Sequence, residues 1–450
     1  MKKLFIVLSF VFIILEANYS NALVVEFEKD SRLPIVLVQV AVKSGSVSDP
    51  VSTPGLTNFL TEMLLRGTQN KNKDQIDLTL DQIGATLSVS VRSEMLYIYG
   101  SVLSNELPSF LDLLKEILES PSFPKKEMMK LKKEIVSDIA RSRDSDRSLV
   151  RMAFDPFFFG DHPYGNQKIG TERSVMAIKK EDLELQYKKL FQSNQLVVVG
   201  SGDAEPRTLV QWASGLRLNP NVKGSITPTR TPVYSTKKRV LIINKPERTQ
   251  AQIMIGHPGT SFTDPRYYSL SIANHIFGGG SFSARLMQEI RVKKGWSYGA
   301  YSYNRYGTQP HSWSIYYFPE KQSIVASLEK ISEMLVELKE KGVTNEEFSF
   351  TKESLIQSAG FDYDTPKKRV ENALIEKIYN LPAGFFRNYA NELKKVDISQ
   401  VNSDLKNFLD LNKIQIVIVA TATPELVNGI AKALGVSKDD IQLKSYKQVP

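Results

Sequence analysis

Side chains that could act as nucleophiles or metal ligands are scarce in this sequence. It contains no cysteine, which excludes disulfides, thiolate zinc sites and thiol nucleophiles. Its four histidines are His162, His257, His275 and His311, and no two of them fall within one helical turn along the chain. The sequence therefore offers few of the usual ligands for a transition metal.

One candidate stretch is "GLTNFLTEMLLRGT", residues 55–68. Its apolar residues recur at helical spacing and predict a helix with one buried stripe. They are Leu56, Phe59, Leu60, Met63 and Leu64. Ser52 or Thr53 is placed to cap this helix, and Pro54 suits its first turn.

A second candidate stretch is "IFGGGSFSARLMQEIRVKKGWSYGA", residues 276–300. Its three consecutive glycines suggest phosphate binding, but no Gly-Lys-Ser/Thr follows, so a P-loop is excluded. Arg291 and Tyr298 lie seven residues apart in the same stretch. Taken singly, Arg291 is explained as a surface cation and Tyr298 as a half-buried aromatic residue.

Residues 55–68 resemble the metal-binding helix of the pitrilysin, or insulinase-type, family of inverzincin peptidases. This family includes insulin-degrading enzyme and mitochondrial processing peptidase. Its pattern is H-x-x-E-H within G-x-x-H-F-L-E-H-M-L-F-x-G-T, and most of the frame is present here as Gly55, Phe59, Leu60, Met63, Leu64, Gly67 and Thr68. The reactive positions differ. Asn58 replaces the first zinc histidine, Thr61 the catalytic glutamate and Glu62 the second zinc histidine.

The third zinc ligand of the family is a glutamate about eighty residues further on, and the resemblance places Asp138 near that position. Catalytic zinc requires three protein ligands and a water that a nearby base can deprotonate. An amide, a hydroxyl and two carboxylates do not meet that requirement. We expect no zinc in this chain, and at most loose binding of Mg²⁺ or Ca²⁺ by Glu62 and Asp138.

Residues 276–300 resemble the most distinctive stretch of the family's second domain, and here the pattern is intact. The resemblance implies that Tyr298 donates a hydrogen bond to the developing oxyanion and that Arg291 holds the substrate backbone. It also places Gly278, Gly279 and Gly280, expected to form a flexible turn, in substrate binding. A donor fixed at such a position is worth about 3 kcal/mol in a transition state.

The chain also repeats itself at a spacing of about 215 residues, since Ser46-Val-Ser-Asp-Pro50 aligns with Ser261-Phe-Thr-Asp-Pro265. So long a period indicates a duplicated domain. We predict an α+β fold with two tandem homologous domains, residues 23–218 and 239–450, joined by a Pro/Thr/Ser-rich linker at 219–238. Each domain is expected to be a mixed, mostly antiparallel sheet with helices packed on one side. The family resemblance implies that the two domains together form half of a clam-like chamber.

Local patterns predict the main elements of both copies. Alternating residues over 85–103 indicate an antiparallel strand pair. Apolar periodicity predicts helices over 107–119, 125–142 and 181–191 in the first copy. It predicts helices over 326–341, 345–358 and 366–379 in the second.

Residues 1–22 have the features of a secretory signal: Lys2 and Lys3, an apolar run too short to span a bilayer, and small residues ending at Ala22. We expect cleavage after Ala22 and export to the periplasm. A retained N-terminal anchor is the alternative. The net charge of +9 is spread along the chain without an arginine-rich block, which argues against a nucleic-acid partner.

The resemblance implies a non-catalytic, substrate-binding subunit of a heterodimeric zinc metallopeptidase, supplying Arg291 and Tyr298 to a sister chain that carries the zinc. Unfolded peptide would bind in extended form along a sheet edge. Two alternatives stay open: a non-enzymatic scaffold subunit of a membrane-associated complex, and a stand-alone peptidase with an atypical site. The sequence does not decide whether the partner is a sister chain or a second copy.

Overall fold

The structure is a computed structural model and describes residues 23–219 and 230–449. The first half has five strands: β1 Val24–Lys29, β2 Ile35–Val42, β3 Thr86–Val91, β4 Leu96–Leu103 and β5 Leu196–Gly202. Its helices are α1 Leu56–Leu64, α2 Lys73–Gln82, α3 Leu107–Glu119, α4 Lys125–Asp144, α5 Asp146–Phe159, α6 Glu172–Ala177, α7 Lys180–Leu190 and α8 Pro206–Ser214. The predicted signal peptide lies outside the described residues, as does part of the predicted linker.

The second half has six strands: β6 Arg239–Asn244, β7 Gln252–Pro258, β8 Ser297–Asn304, β9 Ser312–Pro319, β10 Gln415–Ala420 and β11 Ile441–Ser445. Its helices are α9 Tyr267–Asn274, α10 Ile324–Lys341, α11 Asn345–Ser358, α12 Pro366–Ile378, α13 Tyr389–Lys395, α14 Ile398–Phe408 and α15 Pro424–Leu434. Two π-helical segments, His275–Gly279 and Met287–Lys293, lie between α9 and β8. The predicted helices are all present, with ends that shift by at most two residues.

The two sheets have the same topology, as the internal repeat predicts. The first has the order β1-β5-β2-β4-β3 and the second β11-β6-β10-β7-β9-β8. In each, the first strand pairs in parallel with the last strand of its repeat, β1 with β5 and β6 with β10. The strands between them pair antiparallel. Two mixed sheets with helices confirm the predicted α+β class, and β11 is an addition to the second copy.

Each sheet is also covered by a helix from the other half of the chain. The apolar side of α5, with Phe154 and Phe158, packs on β7 and β10 of the second sheet. Reciprocally, Leu374 and Ile378 of α12 pack on β5 beside Val199. Both faces of β5 and β10 are therefore buried, which explains why these strands are apolar throughout rather than alternating. Each half of the chain therefore buries one face of the other half's sheet.

Polar contacts reinforce this exchange. Glu28 on β1 accepts hydrogen bonds from the Arg369 guanidinium on α12, the shortest at 2.5 Å. Glu94, 3% exposed, accepts hydrogen bonds from the Tyr164 hydroxyl at 2.8 Å and from the Thr308 amide at 3.0 Å. Because these pairs join residues far apart in the sequence, they fix the two halves as one unit. Within the described ranges, no helix combines the length and apolar character that crossing a bilayer requires.

Candidate functional site

Helix α1 begins one residue after Gly55, whose φ of 89° is in the left-handed region that favours glycine. The predicted caps Ser52 and Thr53 do not cap it. Asp49 does so instead: its carboxylate accepts hydrogen bonds from the backbone N–H groups of Gly55 and Thr57, both at 2.8 Å. Asp49 is 7% exposed, and burial raises its pKa to about 6.

The predicted apolar stripe of α1 is fully buried in the first core, so the frame of the helix is maintained. Thr61 is buried as well, and its hydroxyl donates to the Thr57 carbonyl at 2.7 Å, within the same helix. Asn58 and Glu62 are half-buried. A buried hydroxyl bonded to its own helix cannot serve as a general base, so the position of the family's catalytic glutamate has no catalytic group here.

Carboxylates from α4 lie near Glu62, but they face cations of this chain. Arg66, one turn after Glu62, forms an ion pair with Glu134 at 2.6 Å and lies 3.8 Å from Glu127. Asp138, the predicted third ligand, forms an ion pair with Arg141 on its own helix. Burial raises the pKa of Glu62; Arg66 opposes that shift, while Glu134 and Asp138 add to it.

These donors do not fit zinc. Among the described residues, no group of three or more histidine, aspartate and glutamate side chains is arranged to hold a metal ion. The charge that a metal would neutralise is already balanced in part by the Arg66 guanidinium. Sequence reasoning missed Arg66 and Glu134 because a pair separated by 68 residues follows no helical spacing rule.

The four histidines have structural roles. His162 accepts a hydrogen bond from the Tyr164 amide at 3.1 Å, and His311 stacks on the Tyr164 ring at 4.5 Å. His257 is buried beside Phe408 in the second core, and its pKa is lowered by burial to about 4. His275 begins the first π-helical segment. Each histidine is explained by packing or capping.

The glycine triplet is less flexible than the sequence suggests, because Gly278 and Gly279 end the first π-helical segment rather than form a free turn. A Cβ on Gly278 would lie 2.5 Å from both the amide nitrogen and the Oγ of Ser302 on β8. Close packing of this segment against β8 therefore requires glycine at that position.

Tyr298 lies at an irregularity of β8, where the pairing with β9 shifts register between Ser297 and Ala300. Ser297 stabilises the shift: its hydroxyl donates to the Gly299 carbonyl at 2.7 Å and accepts from the Phe318 amide at 3.1 Å. A β-bulge re-aims the side chain at its extra residue. The Tyr298 side chain accordingly points outward, 74% exposed.

Arg291 lies on the second π-helical segment, and its guanidinium carbon is 4.2 Å from the centre of the Tyr298 ring. Phe282, 55% exposed, contacts the same guanidinium at 4.7 Å. The structure thus brings together the two predicted residues and adds Phe282, which the sequence did not indicate because an exposed phenylalanine has no distinctive pattern.

Arg285, close to Arg291 in the sequence, has a different role. Its guanidinium forms two parallel hydrogen bonds with Glu347 of α11, both at 2.6 Å, and a third with the Gly342 carbonyl at 3.0 Å. This bidentate pair joins the residues just before the second π-helical segment to α11 of the same domain. Arg285 is therefore structural, whereas the N–H groups of Arg291 donate to no acceptor in the described ranges.

Comparison with known proteins agrees with this geometry. Residues 24–172 match the family model of insulinase, peptidase family M16, and residues 177–355 match that of the peptidase M16 inactive domain. A relative described as a non-peptidase homolog, YmxG of Helicobacter pylori, is 26% identical over 90% of this chain and 93% of its own.

Two solved structures share the fold. A peptidase M16 inactive domain from Pseudomonas fluorescens superposes with a TM-score of 0.82 at 22% identity, covering 90% of this chain and 97% of its own. The periplasmic protease PqqL of Escherichia coli superposes with a TM-score of 0.75 at 13% identity, covering 92% of this chain but 49% of its own. With its two matched domains and its altered α1, the chain belongs to peptidase family M16 as a member that lacks the H-x-x-E-H zinc motif.

Proposed function

We propose that this protein is the non-catalytic, substrate-binding subunit of a zinc metallopeptidase, and that it supplies Arg291 and Tyr298 to the zinc site of a sister chain. One observation carries the proposal. Helix α1 keeps its packing but has neither a zinc ligand set nor a base, whereas Arg291 and Tyr298 contact each other on the surface with their polar atoms unengaged in the described residues. A division of labour between two chains accounts for that difference.

The edge of the second sheet supports a role in peptide binding. Strand β8 is the last strand of its sheet and pairs only with β9 in the described part of the chain, and we propose that an extended peptide adds to its other edge near Tyr298. A peptide that adds to a strand edge is held mainly by main-chain hydrogen bonds, with little sequence preference. Tyr298, near the start of β8, would then lie beside the bound backbone.

The comparison with PqqL supports a pairing of two such units. This chain matches about half of the PqqL chain, so in that protein the matched unit adjoins a further stretch of similar length. Here we propose that a separate sister chain supplies the second unit, with a zinc ion in its own α1-equivalent helix. We further propose that the pair forms in an exported compartment, from the features of residues 1–22.

The test begins with the partner. The tagged protein is purified from the exported fraction of its native cell, and mass spectrometry of accompanying chains should identify one that contains H-x-x-E-H. The reconstituted pair should hydrolyse peptides and lose that activity with a zinc chelator. A Tyr298→Phe variant should reduce kcat by about 10²-fold or more, the usual effect of removing one oxyanion donor.

The control is Tyr301→Phe, because Tyr301 is a partly exposed tyrosine on the same strand, 38% exposed, outside the predicted pair. Size-exclusion chromatography should show the pair intact in both variants. Unchanged turnover in Tyr298→Phe with an intact pair would favour the scaffold alternative. Chelator-sensitive hydrolysis by the isolated chain would overturn the proposal in favour of a stand-alone peptidase.

A further inference from the structure

The guanidinium of Arg291 contacts two aromatic rings and forms no ion pair with a carboxylate among the described residues. Its carbon lies 4.2 Å from the centre of the Tyr298 ring and 4.7 Å from that of Phe282. The two rings do not contact each other among the described aromatic pairs, so each contacts the guanidinium separately. Stacking of this kind fixes the plane of an arginine and leaves the N–H groups at its edge.

Backbone strain contributes to this arrangement. Ser281 has a φ of 54°, in the left-handed region where residues other than glycine are uncommon. The loop is held there by two hydrogen bonds: the Ser283 hydroxyl donates to the Gly280 carbonyl at 2.8 Å, and the Gln288 amide donates to the Phe282 carbonyl at 2.6 Å. The strained turn presents Phe282 to Arg291 although more than half of its surface stays exposed. Strain that burial does not explain is typical of binding sites.

The charge around Arg291 is not balanced locally. The nearest carboxylate in sequence, Glu289, forms ion pairs with Lys293 at 3.0 Å and Lys330 at 3.9 Å. Lys294 contacts the Trp296 ring at 5.5 Å and forms no ion pair within the described ranges. An anion that approached the edge of the Arg291 guanidinium would therefore meet a surplus of positive charge.

Arg285, which lies just before the second π-helical segment, shows which group the edge of a guanidinium binds. Arg285 holds Glu347 by two parallel N–H···O bonds of 2.6 Å, the geometry in which a guanidinium fork matches a carboxylate. A single main-chain carbonyl satisfies that fork less completely than two carboxylate oxygens do.

We propose that Phe282, Arg291 and Tyr298 form a recognition site for a carboxylate group of the bound peptide. This inference rests on the proposed function and specifies its substrate class: peptides with an acidic side chain, or with a free C-terminus, at the position that meets Arg291. Phe282 is a positioning residue, which orients the guanidinium without contacting the reacting atoms.

The test uses the full chain alone and three acetylated peptides of one apolar sequence, measured by isothermal titration calorimetry at low salt. One peptide has an internal glutamate and an amidated C-terminus. The second has glutamine instead and a free C-terminus, and the third has glutamine and an amidated C-terminus. We expect the first or the second peptide to bind about tenfold more tightly than the third peptide. Tighter binding of the first peptide would identify a side-chain carboxylate as the ligand, and tighter binding of the second would identify the C-terminal carboxylate.

Variants separate recognition from general charge. Arg291→Lys keeps the charge but removes the planar fork, and it should abolish most of the tenfold preference. Phe282→Leu should reduce the preference while circular dichroism and the melting temperature stay unchanged, because Phe282 is largely exposed. Arg207→Gln, an exposed arginine on α8, is the matched control and should change nothing.

Equal affinity for the three peptides, or no measurable binding of any, would overturn the inference. A preference that persists in Arg291→Lys would also overturn it. Because this assay needs no sister chain, its failure is distinct from failure of the proposed function, which depends on turnover by the assembled pair.

Discussion

Asp49→Asn is a direct test of how the first domain holds its altered helix. Asp49 lies beneath the start of α1, 7% exposed, and accepts the N–H groups of Gly55 and Thr57. Despite these hydrogen bonds, burial raises its pKa from 3.8 to about 6, with Lys189 providing only a small opposing effect. The ionised form of Asp49 therefore costs free energy in the folded protein relative to the unfolded chain.

The sign of the pH effect follows from the raised pKa. Below about pH 3.8, Asp49 is protonated in both states and its contribution to stability is fully present. Between pH 3.8 and about 6 the unfolded chain ionises first, so the free energy of unfolding falls as the pH rises. About two pKa units correspond to about 3 kcal/mol. Asparagine cannot ionise, so the variant should lack this fall.

The assay is urea unfolding followed by circular dichroism at several pH values between 3.5 and 7, in steps of about half a unit. The free energy of the wild type minus that of Asp49→Asn should decrease by about 3 kcal/mol across this range. Asp397→Asn is the control, since Asp397 caps α14 from an exposed position and the Gln400 amide lowers its pKa. Its difference should change in the opposite direction. A difference for Asp49→Asn that is constant with pH would refute the reasoning.

Three further predictions concern packing and titration. Leu374→Ala should destabilise the first sheet by about 2–5 kcal/mol, although Leu374 lies in the second half, because α12 covers β5. Faster hydrogen exchange that is confined to the second domain would contradict this prediction. Gly278→Ala should lower the melting temperature, at a cost of about 1–3 kcal/mol, because its Cβ would meet Ser302; an unchanged value would show that the segment can shift. His257 should contribute stability that is lost as the pH falls from 6.5 towards 4, because its Nε2 accepts a hydrogen bond from the Asp410 amide only when the ring is neutral. In urea unfolding, the free energy of unfolding of His257→Gln should therefore fall less on acidification than that of the wild type. An equal fall would exclude His257 as the source.

The sequence predicts the helices and the duplicated topology because both depend on local periodicity. The sequence does not predict that α5 and α12 each pack on the sheet of the other half, since an apolar stripe shows that a helix is buried but not which sheet it packs against. The continuous apolar runs of β5 and β10 indicate strands that are buried on both faces, because a strand covered on one face alternates apolar and polar residues. The π-helical segments were missed for a similar reason: their register has no composition signature.

At the candidate site, the family pattern identified Arg291 and Tyr298, and the structure places them in contact. The pattern could not identify Phe282 or Arg66, because each acts through a contact that the chain makes only when folded. Asp49 had a visible signal, since the repeated Asp-Pro pair recurs as Asp264, whose carboxylate accepts the Arg266 amide at 2.9 Å. In both copies the repeated aspartate therefore accepts a backbone amide close to the start of a helix.

Packing accounts for Gly278, Ser297 and Arg285, but not for the exposure of Phe282 and Tyr298. Aromatic side chains bury roughly 150–250 Å² each when covered. With more than half of each ring surface exposed, a ligand or partner that covered both would remove on the order of 200 Å² of apolar surface from water, worth about 5 kcal/mol before the cost of desolvating Arg291. The folded chain alone does not gain that free energy. The proposed substrate-binding role would supply the group that covers this surface, which a strained turn and a β-bulge hold exposed.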